Sequence, residues 1–208
     1  MIWDTLGNFP VQQLLAFMAG ALVLNLAPGQ DVFFASACGI QNGPRAGALA
    51  GFGVGLGVIC HVVMATVGLG ALVAAHPGTL VAIKYLGAAY LLFLAWKSWN
   101  AGEVDSRAHA ASRAWNIVRR GALSNLLNPK PVLFLLAFLP QFTRPEYGPI
   151  WQQFLGLGLM FTLSGTLVTM GYGLIGGFAG QAIGKRLGIV NRIAALMFAG
   201  LALRLVWK

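Results

Sequence analysis

Long apolar runs constrain this chain more than any other feature. Residues 46–74, 80–99, 150–178 and 189–207 each stay apolar for about 20 residues or more, the length an α-helix needs to cross the hydrocarbon core of a bilayer. Two further runs, 11–40 and 120–142, are equally apolar but carry proline inside them. Only 9% of the 208 residues are charged and 58% are hydrophobic, whereas soluble domains carry about one quarter charged residues. A disordered chain, a secreted disulfide scaffold and an ordinary cytosolic enzyme are excluded. A soluble domain with an unusually apolar core is the bland alternative, and the lengths of the runs argue against it. The expected fold is an all-α membrane protein of six transmembrane helices. Six spans with short loops use nearly the whole chain, so 1–208 is read as one membrane domain. The first ten residues, MIWDTLGNFP, lack the positive n-region of a signal peptide, and no cleavable leader is expected.

The net charge of +9 does not indicate nucleic acid. Its basic residues sit at the ends of apolar runs, not in one stripe with interleaved aromatics. They read as topology signals. Arg45 lies in the 1–2 loop; Lys97, Arg107, Arg113, Arg119 and Arg120 lie in or beside the 3–4 loop; Lys185, Arg186 and Arg192 lie around the 5–6 loop. The opposite side holds only Lys84, Arg144, Arg204 and Lys208. The positive-inside rule then places the three richer loops in the cytoplasm and both termini outside. Cys38 and Cys60 both fall in apolar runs with no CxxC pattern and are expected to be small buried hydrophobes.

The two halves resemble each other. Asn25-Leu26-Ala27-Pro28 matches Asn125-Leu126-Leu127-Asn128-Pro129. Gly51-Phe52-Gly53 matches Gly156-Leu157-Gly158, and Leu94-Ala95-Trp96-Lys97 matches Leu205-Val206-Trp207-Lys208. The matches keep their order. Repeat one covers about 1–100, repeat two about 116–208, and a cytoplasmic linker about 100–115. Three spans per repeat is an odd number, so the second copy must insert upside down. That is the inverted-repeat plan of many secondary transporters.

In this plan the first helix of each repeat is broken, at Pro28-Gly29 and at Pro129 with Pro131. A proline within a helix removes one backbone hydrogen bond, and lipid-facing backbone does not tolerate the loss. Paired breaks in corresponding spans point to a central binding site, though a single proline kink often serves packing alone. Asp31 is the only acid deep in an apolar run. Such a charge is costly unless it meets a partner or a wet cavity. Burial and a nearby cation act on a carboxyl in opposite senses, so Asp31 can carry a proton, bind a substrate ammonium, or form a fixed pair with Lys130. Lys130 can pair with Asp31, hold a substrate carboxylate, or be a snorkelled end charge. Asn25, Asn125 and Asn128 can cap the broken helices or bond a substrate, and Gln30 stands in the same break. His61, inside span two, can relay protons or bond a backbone carbonyl. Tyr90 in span three offers a gate or cavity hydroxyl. The glycines of spans two and five permit close helix packing.

Several segments together resemble the lysine-exporter (LysE/RhtB) family. They are Asn25-Leu26-Ala27-Pro28-Gly29-Gln30-Asp31, Gly43 through Gly57 followed by His61, Lys84-Tyr85-Leu86-Gly87-Ala88-Ala89-Tyr90-Leu91, and Asn125-Leu126-Leu127-Asn128-Pro129-Lys130. They occur in family order over nearly the whole chain. The family's usual Pro-Gly-Pro is here Pro28-Gly29-Gln30, which makes a gentler or more polar break. The resemblance implies a small bacterial inner-membrane exporter of amino acids and related metabolites, driven by the proton motive force. No G-x-x-x-x-G-K-[ST] phosphate loop is present, in keeping with transport without ATP. The expected protein is thus a secondary, alternating-access exporter with no enzymatic activity, cofactor or bound metal. Its partners are an amino acid, protons and the bilayer, with a homodimer suggested by the glycine faces.

Three rivals remain. A metal or other small-ion exporter on the same scaffold needs clustered ligands, whereas His61, His76 and His109 are scattered. A thiol–disulfide carrier needs a cysteine in each half, and both lie in the first. A membrane scaffold without transport would have to keep Asp31 and Lys130 buried for no return.

Overall fold

The computed structural model describes residues 2–75 and 114–179, with single positions between 85 and 100 and between 192 and 203. Tyr90, most of the third and sixth spans and most of the 100–115 connection lie outside the described residues. So do Lys84, Lys97, Arg107, Arg113, Lys185, Arg186, Arg204 and Lys208. Among the described residues the regular structure is helical throughout. In chain order it comprises α1 (Ile2–Gly7), α2 (Val11–Leu26), α3 (Gln30–Asn42), α4 (Pro44–Ala75), α5 (Ala114–Leu126), α6 (Pro129–Phe138) and α7 (Ile150–Ala179). Two 3₁₀ turns, Leu139–Gln141 and Pro145–Tyr147, join α6 to α7.

The 32 residues of α4 and 30 of α7 give helices of about 48 and 45 Å at 1.5 Å per residue. Both exceed the ~30 Å hydrocarbon core and can cross it with tilt. Two helix pairs are also apolar enough to cross if each pair is one span. α2 and α3 meet at 54°, and α5 meets α6 with its 3₁₀ extension at 52°. Gly43 turns the chain sharply from α3 into α4, and its φ of 87° is one that glycine adopts without strain.

Glycine sets how closely the long helices approach. A Cβ on Gly47 would collide with the main chain of Gly173, and one on Gly51 with the main chain of Met170. Gly39 of α3 meets Gly173 in the same way, and Gly53 of α4 meets the main chain of Val118 on α5. Backbones in contact with no side chain between them are the usual device for packing helices in lipid. The opposite faces carry exposed Phe52, Ile59, Val63 and Val67 on α4 and Leu159, Leu163 and Leu167 on α7. A face this apolar suits hydrocarbon rather than water.

Two expectations change. Cys60 is exposed and Cys38 only half-buried, not buried as read from hydropathy. In a membrane helix the lipid-facing side is as apolar as the packed side, so hydropathy cannot separate them. The fourth span begins at Ala114 rather than near Arg120. Its first half is amphipathic: Ile117, Val118 and Gly121 are buried while Arg119 and Arg120 are exposed. Its mean apolarity is low, and an uninterrupted apolar run is the wrong signal for such a segment.

Candidate functional site

The site is built on the two breaks. Pro28 has no N–H to donate to the carbonyl four residues back, which belongs to Leu24, and Pro129 likewise leaves the carbonyl of Asn125 without its helical donor. The residue before each proline is forced out of the helical region. Ala27 sits at φ −65°, ψ 112° and Asn128 at φ −89°, ψ 114°. Each span therefore opens, and each freed carbonyl has to find another donor.

Both donors come from other helices. The Lys130 Nζ donates to Leu24 O at 3.2 Å and to Ala27 O at 2.9 Å. The ammonium thus sits on the carbonyl end of α2, where the helix dipole favours a positive charge. His61 on α4 is 2% exposed, and its Nε2 lies 2.9 Å from Asn125 O. A carbonyl can only accept, so Nε2 carries the hydrogen. Asn128 N also donates to Asn125 O at 2.9 Å. At the first turn of α6, Pro129 and Pro131 cost nothing, since amides there have no helical partner.

Asp31, in the first turn of α3, faces this second break. Its Oδ2 accepts from Asn125 Nδ2 at 3.0 Å and from Asn128 Nδ2 at 2.9 Å. Asn128 also caps α6, its Oδ1 accepting from Lys130 N at 3.0 Å. Asp31, Asn125, Asn128, Lys130 and His61 thus form one cluster across α3, α4, α5 and α6. Gln30 stands apart on its exposed rim, donating to Ser124 Oγ at 3.1 Å. Asn25 turns toward α7 and donates to Ser164 Oγ at 3.0 Å. Tyr90 lies outside the described residues.

Ser124, Ser164 and Tyr172 carry no motif, yet each holds part of a break. Tyr172 OH donates to Leu26 O at 3.0 Å, a further carbonyl at the end of α2. For Tyr172 the available signal is a stripe of polar and small residues along an apolar span, Thr162, Gly165, Thr169 and Tyr172, at the three-to-four residue spacing of one helix face.

A cavity of about 40 Å³ lies between the breaks. Asn25, Asp31 and Lys130 form its polar end, and Val54, Val58 and Phe161 part of its apolar wall. It has room for a few waters but is far below the ~300 Å³ at which ligand pockets begin. Phe161 of that wall continues into a phenylalanine stack with α6 and α2. Phe134 lies 5.5 Å from Phe161 and 4.5 Å from Phe138, which in turn lies 4.8 Å from Phe142 and 5.7 Å from Phe17. Gln13 ties this end down, donating to Phe142 O at 2.6 Å and accepting from Tyr147 OH at 2.9 Å. Among the described residues, no three His, Cys, Asp or Glu side chains group together as metal ligands.

A family model described as LysE type translocator matches residues 22–208. The chain belongs to the LysE family. The match includes both breaks and every residue of the cluster. Among LysE-family relatives, a leucine efflux protein of Klebsiella pneumoniae is 31% identical over 207 residues, covering 95% of this chain and 96% of its own. A homoserine/homoserine lactone efflux protein of Salmonella typhi is 34% identical over 161 residues, covering 76% and 77%. An uncharacterized membrane protein of Vibrio cholerae is 34% identical over 191 residues, covering 89% and 92%. The long apolar helices of this LysE-family chain agree with the membrane setting in that last name. No solved structure matches the chain.

Proposed function

We propose that this chain exports amino acids with uncharged side chains from the bacterial cytoplasm in exchange for protons. In this reading it has six spans in two inverted repeats, 1–100 and 116–208, in the inner membrane with both termini outside. The observation that carries the reading is the meeting of two proline breaks at one cavity, with Asp31 and Lys130 both lining it. A zwitterion needs an acceptor for its ammonium and a donor for its carboxylate. Asp31 and the carbonyls of Leu24 and Ala27 supply the first, and Lys130 supplies the second by leaving those carbonyls as the substrate ammonium takes them.

Asp31 accepts either the ammonium or a proton, and the two exclude each other. That exclusion is the basis of exchange: substrate leaves outward and a proton returns inward. The substrate side chain lies along Val54, Val58 and Phe161. Asp31 is the one acid of the lining among the described residues, which favours a substrate with a single positive charge. The names of the leucine and homoserine efflux relatives support an uncharged side chain. The 40 Å³ cavity corresponds to a closed stage of an alternating-access cycle, in which the half-helices must part to admit an amino acid.

Uptake of a labelled amino-acid panel into inside-out vesicles tests this. Accumulation of leucine or homoserine, abolished by an uncoupler, is the expected result. Vesicles that hold a proton gradient and folded protein yet accumulate no amino acid would falsify the reading.

A further inference from the structure

Three acceptors in the cluster around Asn125 have no donor among the described residues. Asp31 Oδ1, Asn125 Oδ1 and His61 Nδ1 are all buried with no hydrogen-bond partner among the described residues. Buried polar atoms are nearly always paired, so three such atoms in one cluster call for an explanation. Asn125 joins them. Its Nδ2 donates to Asp31, its main-chain carbonyl receives His61 Nε2, and its Oδ1 faces Gly57, whose Cβ would stand 2.9 Å from it. Gly57 and His61 are one helical turn apart on the same face of α4.

Each of these atoms can only accept. The carboxylate and amide oxygens are acceptors by nature. His61 Nδ1 is one because Nε2 already holds the ring hydrogen toward Asn125 O. These three acceptors lack a hydrogen, and of the titratable groups in the cluster Asp31 and His61 are the ones that carry them. We infer that His61 is a second proton-binding residue, coupled to Asp31 through Asn125, so that one transport cycle moves a proton on each. This rests on the exporter reading above. The proton adds to the Nδ1 lone pair, giving an imidazolium that still donates from Nε2 to Asn125 O. It leaves from Nδ1 when the cycle discharges it, and the ring returns to the same tautomer. The break at Pro129 therefore keeps its donor in both states, and the proton can come and go without unmaking the fold.

The elements around His61 bring few other ionisable groups. α3 contributes Asp31 and Cys38, α5 contributes Arg119 and Arg120, α6 contributes Lys130 and α7 contributes Tyr172. Both arginines are exposed, Tyr172 is committed to Leu26 O and Lys130 donates to the α2 carbonyls. Cys60, next in sequence, faces outward.

The test is His61→Gln in proteoliposomes. Glutamine keeps an N–H to offer Asn125 O but takes up no proton. Exchange of labelled leucine for unlabelled leucine, which moves no net proton, should survive within a few-fold. Accumulation driven by an imposed pH gradient should fall, because losing one coupled proton lowers the limiting concentration ratio about tenfold per pH unit of gradient. A variant that exchanges and still reaches the wild-type ratio would show that His61 only props the carbonyl, with a bridging water satisfying the acceptors. Should His61→Gln not exchange at all, ¹⁵N spectra of the wild-type side chain decide, with His76 and His109 replaced by Gln to leave one signal. Nδ1 is expected to gain a proton on acidification and to lose it when leucine is added. A ring that stays Nε2–H under both conditions overturns the inference. Wild-type protein that exchanges no amino acid would instead sink the exporter reading, and the spectra would still report on His61.

Discussion

At the residue scale, two prolines each remove one amide donor and a basic side chain from another helix replaces it. Lys130 serves Leu24, and His61 serves Asn125. Half of this is legible in the sequence, because a proline names the carbonyl it orphans by counting back four. The donor is not legible, since it arrives from a distant part of the chain. Asp31 is legible as the only acid deep in an apolar run, and its two asparagine donors lie in the matching motif of the second half. Asn25 belongs to the same motif but turns toward Ser164, because Gly165 leaves a gap on α7 that a Cβ would close. Asn128 both caps α6 and donates to Asp31. Asn128→Ala is expected to lose about 1 kcal/mol from the cap alone and more from the donor taken off Asp31, seen as a lower melting temperature in detergent. Asn128→Asp keeps the cap but sets a second carboxylate beside the first, so exchange should fall by at least about tenfold, the effect of ~1.4 kcal/mol.

At the element scale, the spans are written in the apolar runs and the bends in the prolines. The start of α5 is hidden because its half-turns alternate Ile117 and Val118 with Arg119 and Arg120. The outward side of α4 at Cys60 is hidden because lipid and protein interior look alike to hydropathy. Glycine content announces close packing, but only the structure says which glycines are indispensable. Gly47 faces the Gly173 main chain, which has no flexible side chain to yield, whereas a Cβ at Gly171 would meet nothing within 4 Å. Gly47→Ala is expected to destabilise by about 1–3 kcal/mol through overpacking. Gly171→Ala should be neutral or stabilising by up to about 1 kcal/mol, since alanine favours the helix. Thermal unfolding of the two variants in detergent compares them directly, and equal behaviour would contradict the packing described. Pro129→Ala restores an amide donor that competes with His61 for Asn125 O. Stability should hold or rise while exchange falls, and a variant that exchanges like wild type would remove the break from the mechanism.

At the scale of the whole molecule, the account requires two halves that part and close around one site. The two bends are nearly equal, 54° and 52°. The phenylalanine stack and the Gln13–Tyr147 tie hold one end, while the exposed Gln30 and the half-buried Tyr172 hold the other. With both termini outside, as proposed, the phenylalanine end would face away from the cytoplasm and an arriving substrate would meet the Gln30 and Tyr172 contacts. Reporter fusions should place both termini outside the cytoplasm, and a cytoplasmic signal from either would reverse this direction. The central claim is that an amino acid is held between the breaks with its ammonium on Asp31. Its most direct test is exchange of labelled for unlabelled leucine in proteoliposomes of wild-type protein and Asp31→Asn at matched folded content. The account predicts rapid exchange by the wild type and loss of at least about tenfold in the variant, ~1.4 kcal/mol or more of binding. Exchange by Asp31→Asn at the wild-type rate would contradict it.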